Sequence, residues 1–435
     1  MKIETLILGF GITGESCLKY LNSINKACRI FDTRSREKLG NIKQYSDTKN
    51  EFYLTDYDNE ILEEIKTVII SPGFELNHPL INQIRNRGIP IQTDIDLFKS
   101  LYDGKVISVT GTNGKTTVVQ MLEKILTSFG IRARACGNNG IPPLNLIKEK
   151  LDYVIIELSS YQLEYMINKS SDVSILLNIT NDHLDRHETF EKYLKIKMSI
   201  FENVGKKIMN MSLKKNIYSD DIKYFGYIED TSKIVINSEV KNNLHIKDEI
   251  LHCDGTSLSF MGYHTLQNIL AVLSVMDCLK INFAKCLKSL MKFTHPPHRI
   301  ELIKRSNNIS WYNDSKSTNC DSTYWALKSL RQNVILIMGG SAKKQDFSLL
   351  SEVIDDTVKI LILTGKNSKA ILGDLNVTVK IFEALDMNDA VKIANDHAIR
   401  NDSVILSPAS PSFDFYQDYE HRGNVFTNAV LNIAD

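Results

Sequence analysis

A chain of 435 residues is longer than one ordinary hydrophobic core organises, so two or three domains are expected. Its 43% hydrophobic and 24% charged residues give a globular composition without disordered bias. Lysine plus arginine (52) equals aspartate plus glutamate (52), which excludes a bulk positive field for nucleic acid or an anionic membrane, and with it a nucleic-acid motor.

The apolar start, Met1 to Leu8, is too short for a signal peptide, and no segment is long and apolar enough to span a bilayer. Seven scattered cysteines form no C-x-x-C pair, so reduced thiols in a cytoplasmic protein are expected rather than disulfides or zinc.

Short β-branched runs followed by helical patterns recur along the chain, predicting α/β units around largely parallel sheets. Thr5 to Leu8 reads as a strand that turns at Gly9 into a helix through Leu21. Further strands are expected at Cys28 to Phe31 and at Thr67 to Ile70, the latter ending in Ser71-Pro72-Gly73. Gly9-Phe10-Gly11-Ile12-Thr13-Gly14 matches G-x-G-x-x-G, and Asp32 sits where a ribose-binding acid belongs. That motif offers backbone N–H groups to a diphosphate, so NAD and a nucleotide-sugar diphosphate both satisfy it.

A second block opens with the strand Val106 to Val109 and the loop Gly111-Thr112-Asn113-Gly114-Lys115-Thr116-Thr117 before a helix. The glycines let backbone N–H groups face phosphates, Lys115 meets the outer phosphates, and Thr116 offers a hydroxyl to Mg²⁺. The common motif would place its first glycine at position 109, which is Val here, so this is a shorter variant. Triphosphate binding follows, but motors, switches and ligases all use such a loop.

Strands are expected at Tyr153 to Ile156, with Glu157 placed to hold Mg²⁺, and at Val173 to Leu177 before Asn178. His183 and His187 have the spacing of a zinc helix, but Leu184 stands where a metalloprotease needs its glutamate, so zinc hydrolysis is rejected. From Lys206 to Phe260 smaller strands are expected, then a helix from His264 to Leu279. Pro296-Pro297 reads as a linker.

A third block has expected strands around Trp311 and at Val334 to Met338, Ile360 to Leu363, Val377 to Phe382 and Val404 to Leu406. His298-Arg299, Asn313 to Asn319 and Gly339 to Lys344 would place cations and hydroxyls at strand ends, suited to phosphate and carboxylate. Three α/β domains are therefore expected: 1–93 of Rossmann type, 94–296 with the phosphate loop and a smaller strand-rich part, and 297–435, again Rossmann-like.

The sequence resembles the Mur ligase family of peptidoglycan synthesis over essentially its whole length. The resemblance rests on Gly11 to Gly14, Asp32-Thr33-Arg34, Ser71-Pro72-Gly73, Gly111 to Thr116 and Glu157-Leu158-Ser159-Ser160. It continues through Asn178, Asp182 to Arg186, Pro297-His298-Arg299, Asn313 to Asn319, and Ser407-Pro408-Ala409 with Ser412. Asp32-Thr33-Arg34 points to the branch that adds D-glutamate to UDP-N-acetylmuramoyl-L-alanine; folylpolyglutamate synthases share the ATP domain but lack this UDP-binding start.

The resemblance implies ATP and Mg²⁺ as cofactors, those two substrates as partners, and no nucleic acid or membrane; a monomer is expected. It assigns Ile12, Thr13, Asp32, Thr33, Arg34, Ser71, Gly73, Asn138 and Ser159 to the UDP substrate. Gly111 to Thr117 would bind ATP together with Asn268, Arg299 and Asp314. Thr116, Glu157, His183 and a carbamylated Lys197 would hold magnesium, with Lys195 the weaker candidate for the modification. D-Glutamate would meet Lys316, Thr318, Lys343, Ser412 and the backbone near Tyr419; Lys115, His183, Lys197 and Lys316 would be catalytic. The chain departs from the family at Asn139, Tyr161, Ser341 and Tyr419, and Lys344 competes with Lys343.

Overall fold

The computed structural model describes residues 2–39, 42–45, 49–75, 77–214, 217, 219–228, 233–236, 239–241, 244–246, 249–251, 263–282, 286, 289–290, 297–330, 332–341 and 345–433. The chain packs as two compact units. One comprises Met1–Gly111, Val118–Leu177 and Leu194–Tyr224; the other comprises Thr112–Thr117, Asn178–Tyr193 and Phe225–Asp435.

The first unit opens with strands β1 (Thr5–Leu8), β2 (Arg29–Asp32), β3 (Glu51–Leu54), β4 (Thr67–Ile70) and β5 (Ile91–Gln92), and helices α1 (Ile12–Ser23), α2 (Pro79–Asn86) and α3 (Asp94–Lys99). The strands form a parallel sheet in the order β3-β2-β1-β4-β5. Every residue of β1 is buried, as a central strand covered on both faces requires. A Cβ on Gly14 would lie 2.1 Å from the Gly9 carbonyl oxygen, so only glycine lets α1 approach the end of β1 this closely.

Next come β6 (Lys105–Thr110), α4 (Lys115–Ser128), β7 (Ala133–Gly137), β8 (Tyr153–Glu157), α5 (Ser160–Tyr165), β9 (Ser171–Leu176), α6 (Leu184–His187), α7 (Phe190–Met198) and β10 (Val204–Asn210). β10-β9-β6-β8-β7 lie in parallel register, with β6 between β9 and β8. The stretch expected to hold smaller strands contains β11 (Ile222–Ile228), β12 (Lys233–Ile236), β13 (Glu239–Lys241), β14 (Leu244–Ile246) and β15 (Glu249–Leu251), paired antiparallel as β11-β12-β13 and β14-β15.

The second unit continues with α8 (Tyr263–Cys278), β16 (Glu301–Ser306), β17 (Ile309–Asn313), α9 (Cys320–Leu330), β18 (Val334–Met338), α10 (Ser351–Thr357), β19 (Val358–Leu363), α11 (Ser368–Asp374), β20 (Lys380–Glu383), α12 (Met387–His397), β21 (Ser403–Leu406) and α13 (Tyr419–Leu431). Their sheet runs β16-β17-β21-β18-β19-β20, and only the β16–β17 pair is antiparallel. Alternation along β18 sends Leu336 and Met338 into one core and Ile335 and Ile337 into the other, so helices cover both faces.

The expected strand Val377 to Phe382 begins three residues late, at Lys380. Val377 and Val379 instead pack against the core without joining the ladder. Among the described residues no helix is long and apolar enough to cross a membrane. Cys17, Cys28, Cys136, Cys286 and Cys320 are buried free thiols; burial pushes Cys28 up to about 12 and Cys286 to about 11, which keeps them protonated and inert.

Candidate active site

In the first sheet the strand order reverses at β1, so the crevice between the carboxyl ends of β1 and β4 is where an open α/β sheet takes a ligand. Ser71 Oγ closes its floor by donating to the Gly9 carbonyl at 2.9 Å. Asp32, buried at the end of β2, accepts the Phe10 N–H at 2.7 Å and the Arg34 N–H at 2.9 Å, and pairs with the Arg34 guanidinium at 2.8 Å. Burial alone would raise its carboxyl; the Arg34 and Phe10 donors outweigh that and hold it below the usual range. The acid thus fixes the glycine turn and orients Arg34. Ile12, 66% exposed, and Thr13 open α1 beside it, with Thr33 and Gly73 exposed as well.

The phosphate loop leaves β6 and enters α4. Thr112 and Asn113 donate their N–H groups to the carbonyl and side-chain oxygens of Asn178, at 3.0 and 2.8 Å, and Asn178 returns a bond to the Asn113 carbonyl at 3.1 Å. These two N–H groups set the shape of the loop. The N–H groups of Lys115, Thr116 and Thr117 open α4, where a helix leaves its first donors without intrahelical partners. Lys115 Nζ donates to the Thr112 carbonyl at 2.8 Å. Gly114 has φ +85°, and a Cβ there would lie 2.4 Å from Asn268 Oδ1, so α8 packs its amide onto the loop backbone.

At the ends of the neighbouring strands, Thr110 Oγ1 donates to the Leu158 carbonyl at 2.7 Å. Lys197 on α7 is buried, with 1% of its surface exposed, and donates to the Gly111 carbonyl at 2.9 Å and to Thr110 Oγ1 at 3.3 Å. Lys195 on the same helix is exposed. Glu157 is buried; its Oε1 accepts the Asn138 amide at 2.9 Å, while Oε2 has no hydrogen-bond partner among the described residues. A buried carboxylate oxygen without a donor fits a hard cation such as Mg²⁺. Ser159 caps α5 through a reciprocal box with Gln162. His183 sits at φ +54°, a strained position for a non-glycine residue, with Nε2 3.7 Å from Asp182 Oδ2.

In the six-stranded sheet, Asp314 follows β17, buried, and accepts hydrogen bonds from Ser317 Oγ (2.5 Å), Ser407 Oγ (2.8 Å) and the Ile300 N–H (3.2 Å). Burial pushes it up to about 6 against the pull of these donors and of Arg299. The loop carrying Arg299 is held by positive φ on both sides, +63° at His298 and +46° at Ile300; the latter is costly for a β-branched residue and persists because Asp314 and Lys316 bond to the same loop. Lys316 Nζ lies 3.5 Å from the centre of the Tyr419 ring, whose hydroxyl donates to Glu420 at 2.8 Å. Thr318 is half-buried and Ser412 buried. Lys343 and Lys344 lie outside the described residues.

Sequence reasoning missed two buried groups here. Arg422 donates to the carbonyls of Ser315 (2.9 Å), Ser410 (2.9 Å) and Pro411 (3.2 Å), and to Ser315 Oγ (3.0 Å). Burial lowers it to about 10, still a cation at neutral pH. Asn367 accepts the Gly340 N–H at 2.8 Å and donates to Ser410 Oγ at 2.7 Å. Together they lock the loops after β17, β18, β19 and β21. In sequence, Arg422 looks like one more solvent-facing helix arginine.

The chain matches the MurD-like N-terminal domain of Mur ligases over residues 3–93, the Mur ligase middle domain over 109–276 and the Mur ligase glutamate ligase domain over 298–410. It is 34% identical to the UDP-N-acetylmuramoylalanine–D-glutamate ligase of Coxiella burnetii, covering 98% of both chains. To the ligase of that name from Legionella pneumophila it is 32% identical, covering 98% of this chain and 99% of the relative. Among solved structures, the MurF ligase of Thermotoga maritima in complex with ADP shares the fold, with a TM-score of 0.61 at 15% identity over 95% of this chain and 98% of that one.

Proposed function

The chain belongs to the Mur ligase family, and on that premise we propose that it is an ATP-dependent ligase joining D-glutamate to UDP-N-acetylmuramoyl-L-alanine in peptidoglycan precursor synthesis. ATP phosphorylates the substrate's terminal carboxylate, giving an acyl phosphate and ADP. The D-glutamate amine attacks that carbonyl, and the tetrahedral intermediate expels phosphate. Without phosphorylation the leaving group would be oxide, so the first step makes the second possible.

In this reading Asp32, Thr33 and Arg34 receive the uridine end, and the turn at Ile12 and Thr13 with Ser71 and Gly73 the diphosphate; Asn138 and Ser159 lie towards the sugar and peptide end. The loop Gly111 to Thr117 cradles the ATP phosphates, Lys115 meets the transferred phosphoryl group, and Asn268, Arg299 and Asp314 hold the rest of the nucleotide. Thr116 and Glu157 supply oxygens for one Mg²⁺, and His183 with a carbamylated Lys197 supply ligands for a second. Bound there, magnesium supplies positive charge against the repulsion between the reacting anions. The burial of Lys197 beside the start of the loop, where Lys195 is exposed, supports it as the modified residue of the two. Lys316, Thr318, Lys343, Ser412 and the backbone near Tyr419 receive the amino acid. A monomer in the cytoplasm is the setting this reading implies.

The observation that carries a ligase over a nucleotide switch is the second cationic centre. Lys316 sits on Tyr419 beside loops locked by a buried arginine, at strand ends suited to a dicarboxylate. Hydrolysis alone would give that site no work. The test is phosphate release with each substrate omitted in turn: release should require both UDP-N-acetylmuramoyl-L-alanine and D-glutamate, and release that ignores D-glutamate defeats the reading.

A further inference from the structure

The side chain of Asn113 in the phosphate loop spends both acceptor sites of its amide oxygen and one of its two amide N–H donors on groups of the protein itself. Its Nδ2 donates to Asp321 Oδ2 at 2.7 Å, and its Oδ1 accepts from Asn319 Nδ2 at 3.2 Å and from Ser322 Oγ at 3.0 Å. All three partners stand at the start of α9. Asn319 is itself fixed there, because its Oδ1 accepts the Ser322 N–H at 2.9 Å and its amide also reaches Asp182 Oδ2 at 3.2 Å.

We propose that Asp321 is a positioning residue for the phosphate loop, acting through Asn113. An acid in the first turn of a helix ordinarily does no more than complement the helix dipole. Asp321 instead takes the shortest of the three bonds to a residue 208 positions earlier in the chain. Asn113 lies between Thr112, whose carbonyl holds Lys115 Nζ, and Gly114, whose backbone packs on Asn268. A change at Asp321 therefore moves the anchor of the loop's cation and its contact with α8 together. α9 also begins directly after Lys316 and Thr318. The same helix start thus meets the phosphate loop and follows the proposed amino-acid residues in sequence.

The inference rests on the ATP half of the proposed function, not on the identity of the acceptor. It is tested by calorimetric titration of the full-length protein with Mg²⁺ and a non-hydrolysable ATP analogue. Asp321→Ala should bind the analogue about tenfold more weakly, the size expected for losing one charge-assisted hydrogen bond. Asp321→Asn, whose amide oxygen can still accept from Asn113, should bind within about twofold of the parent. Asn113→Ala should match Asp321→Ala, and the double variant should be no weaker than the worse single one. Parental affinity in folded Asp321→Ala, or losses that multiply in the double variant, would overturn the proposal. A purely structural role would lower the unfolding temperature without changing the affinity of the folded protein, and would give no recovery with Asn. A parent that binds the analogue yet forms no amide from the two substrates would sink the D-glutamate reading and leave this one standing.

Discussion

Lys197 Nζ donates to the carbonyl of Gly111 at 2.9 Å, which places a buried lysine directly at the point where β6 becomes the phosphate loop. Lys197→Ala should lose nearly all ligase activity, and an excess of a short-chain carboxylate should restore part of it by replacing the carbamate. Lys195→Ala should leave activity unchanged, since that side chain is exposed. Full activity in an enzyme whose Lys197 is shown by mass spectrometry to be unmodified would refute the carbamate.

Gly114 tolerates no side chain. With φ at +85° and Asn268 Oδ1 2.4 Å from where a Cβ would stand, Gly114→Ala either distorts the loop or displaces the α8 amide. Nucleotide affinity should fall by about a hundredfold or more, on the order of 3 kcal/mol of strain and lost contact. Fluorescent-nucleotide titration reads it; a variant that binds normally would show that the loop is freer than its packing indicates.

Asp94 begins α3 fully buried, and its Oδ1 has no hydrogen-bond partner among the described residues. Burial raises it from 3.8 to about 7. A carboxyl raised in the folded state makes the unfolded chain the better acid, so folding is favoured below about pH 4 and loses that advantage as pH rises towards 7. Asp94→Asn should therefore stabilise the protein against urea at pH 8, by about 2 kcal/mol, and the gain should vanish below pH 4. A gain independent of pH would exclude desolvation as its cause.

Arg422 spends its guanidinium on four carbonyls and a hydroxyl rather than on a carboxylate. Arg422→Met keeps much of the volume but leaves buried acceptors unpaired, each costing about 1–3 kcal/mol. The KM for D-glutamate should rise at least tenfold while the KM for ATP moves little. Equal rises in both would mean that the whole unit, rather than the loops after β18 and β21, depends on this residue.

What the sequence revealed and what it hid follow from one physical distinction. β1, β4 and β18 appear in it as apolar runs with their observed boundaries, because central parallel strands are buried on both faces. β3 (Glu51–Leu54), two-residue β5 and alanine-rich β7 were not anticipated; they are short or lie at sheet edges, where half-exposed faces permit polar and small residues. Loops with backbone-driven chemistry, such as Gly111 to Thr117, announce themselves through glycine. Arg422, Asn367 and Asp321 do not, because their importance lies in which distant carbonyl or amide they meet, and residue type does not encode that.

The nested order of the six-stranded sheet also divides its surface into tolerant and intolerant parts. β17, β21 and β18 sit side by side near its middle and end in the loops of the proposed site, whereas β20 forms the far edge and turns at Leu385, 88% exposed. A fluorophore, epitope or short insertion at that turn touches no residue of the chemistry. It offers a handle for immobilising the enzyme or reporting on its motion without rewriting the site.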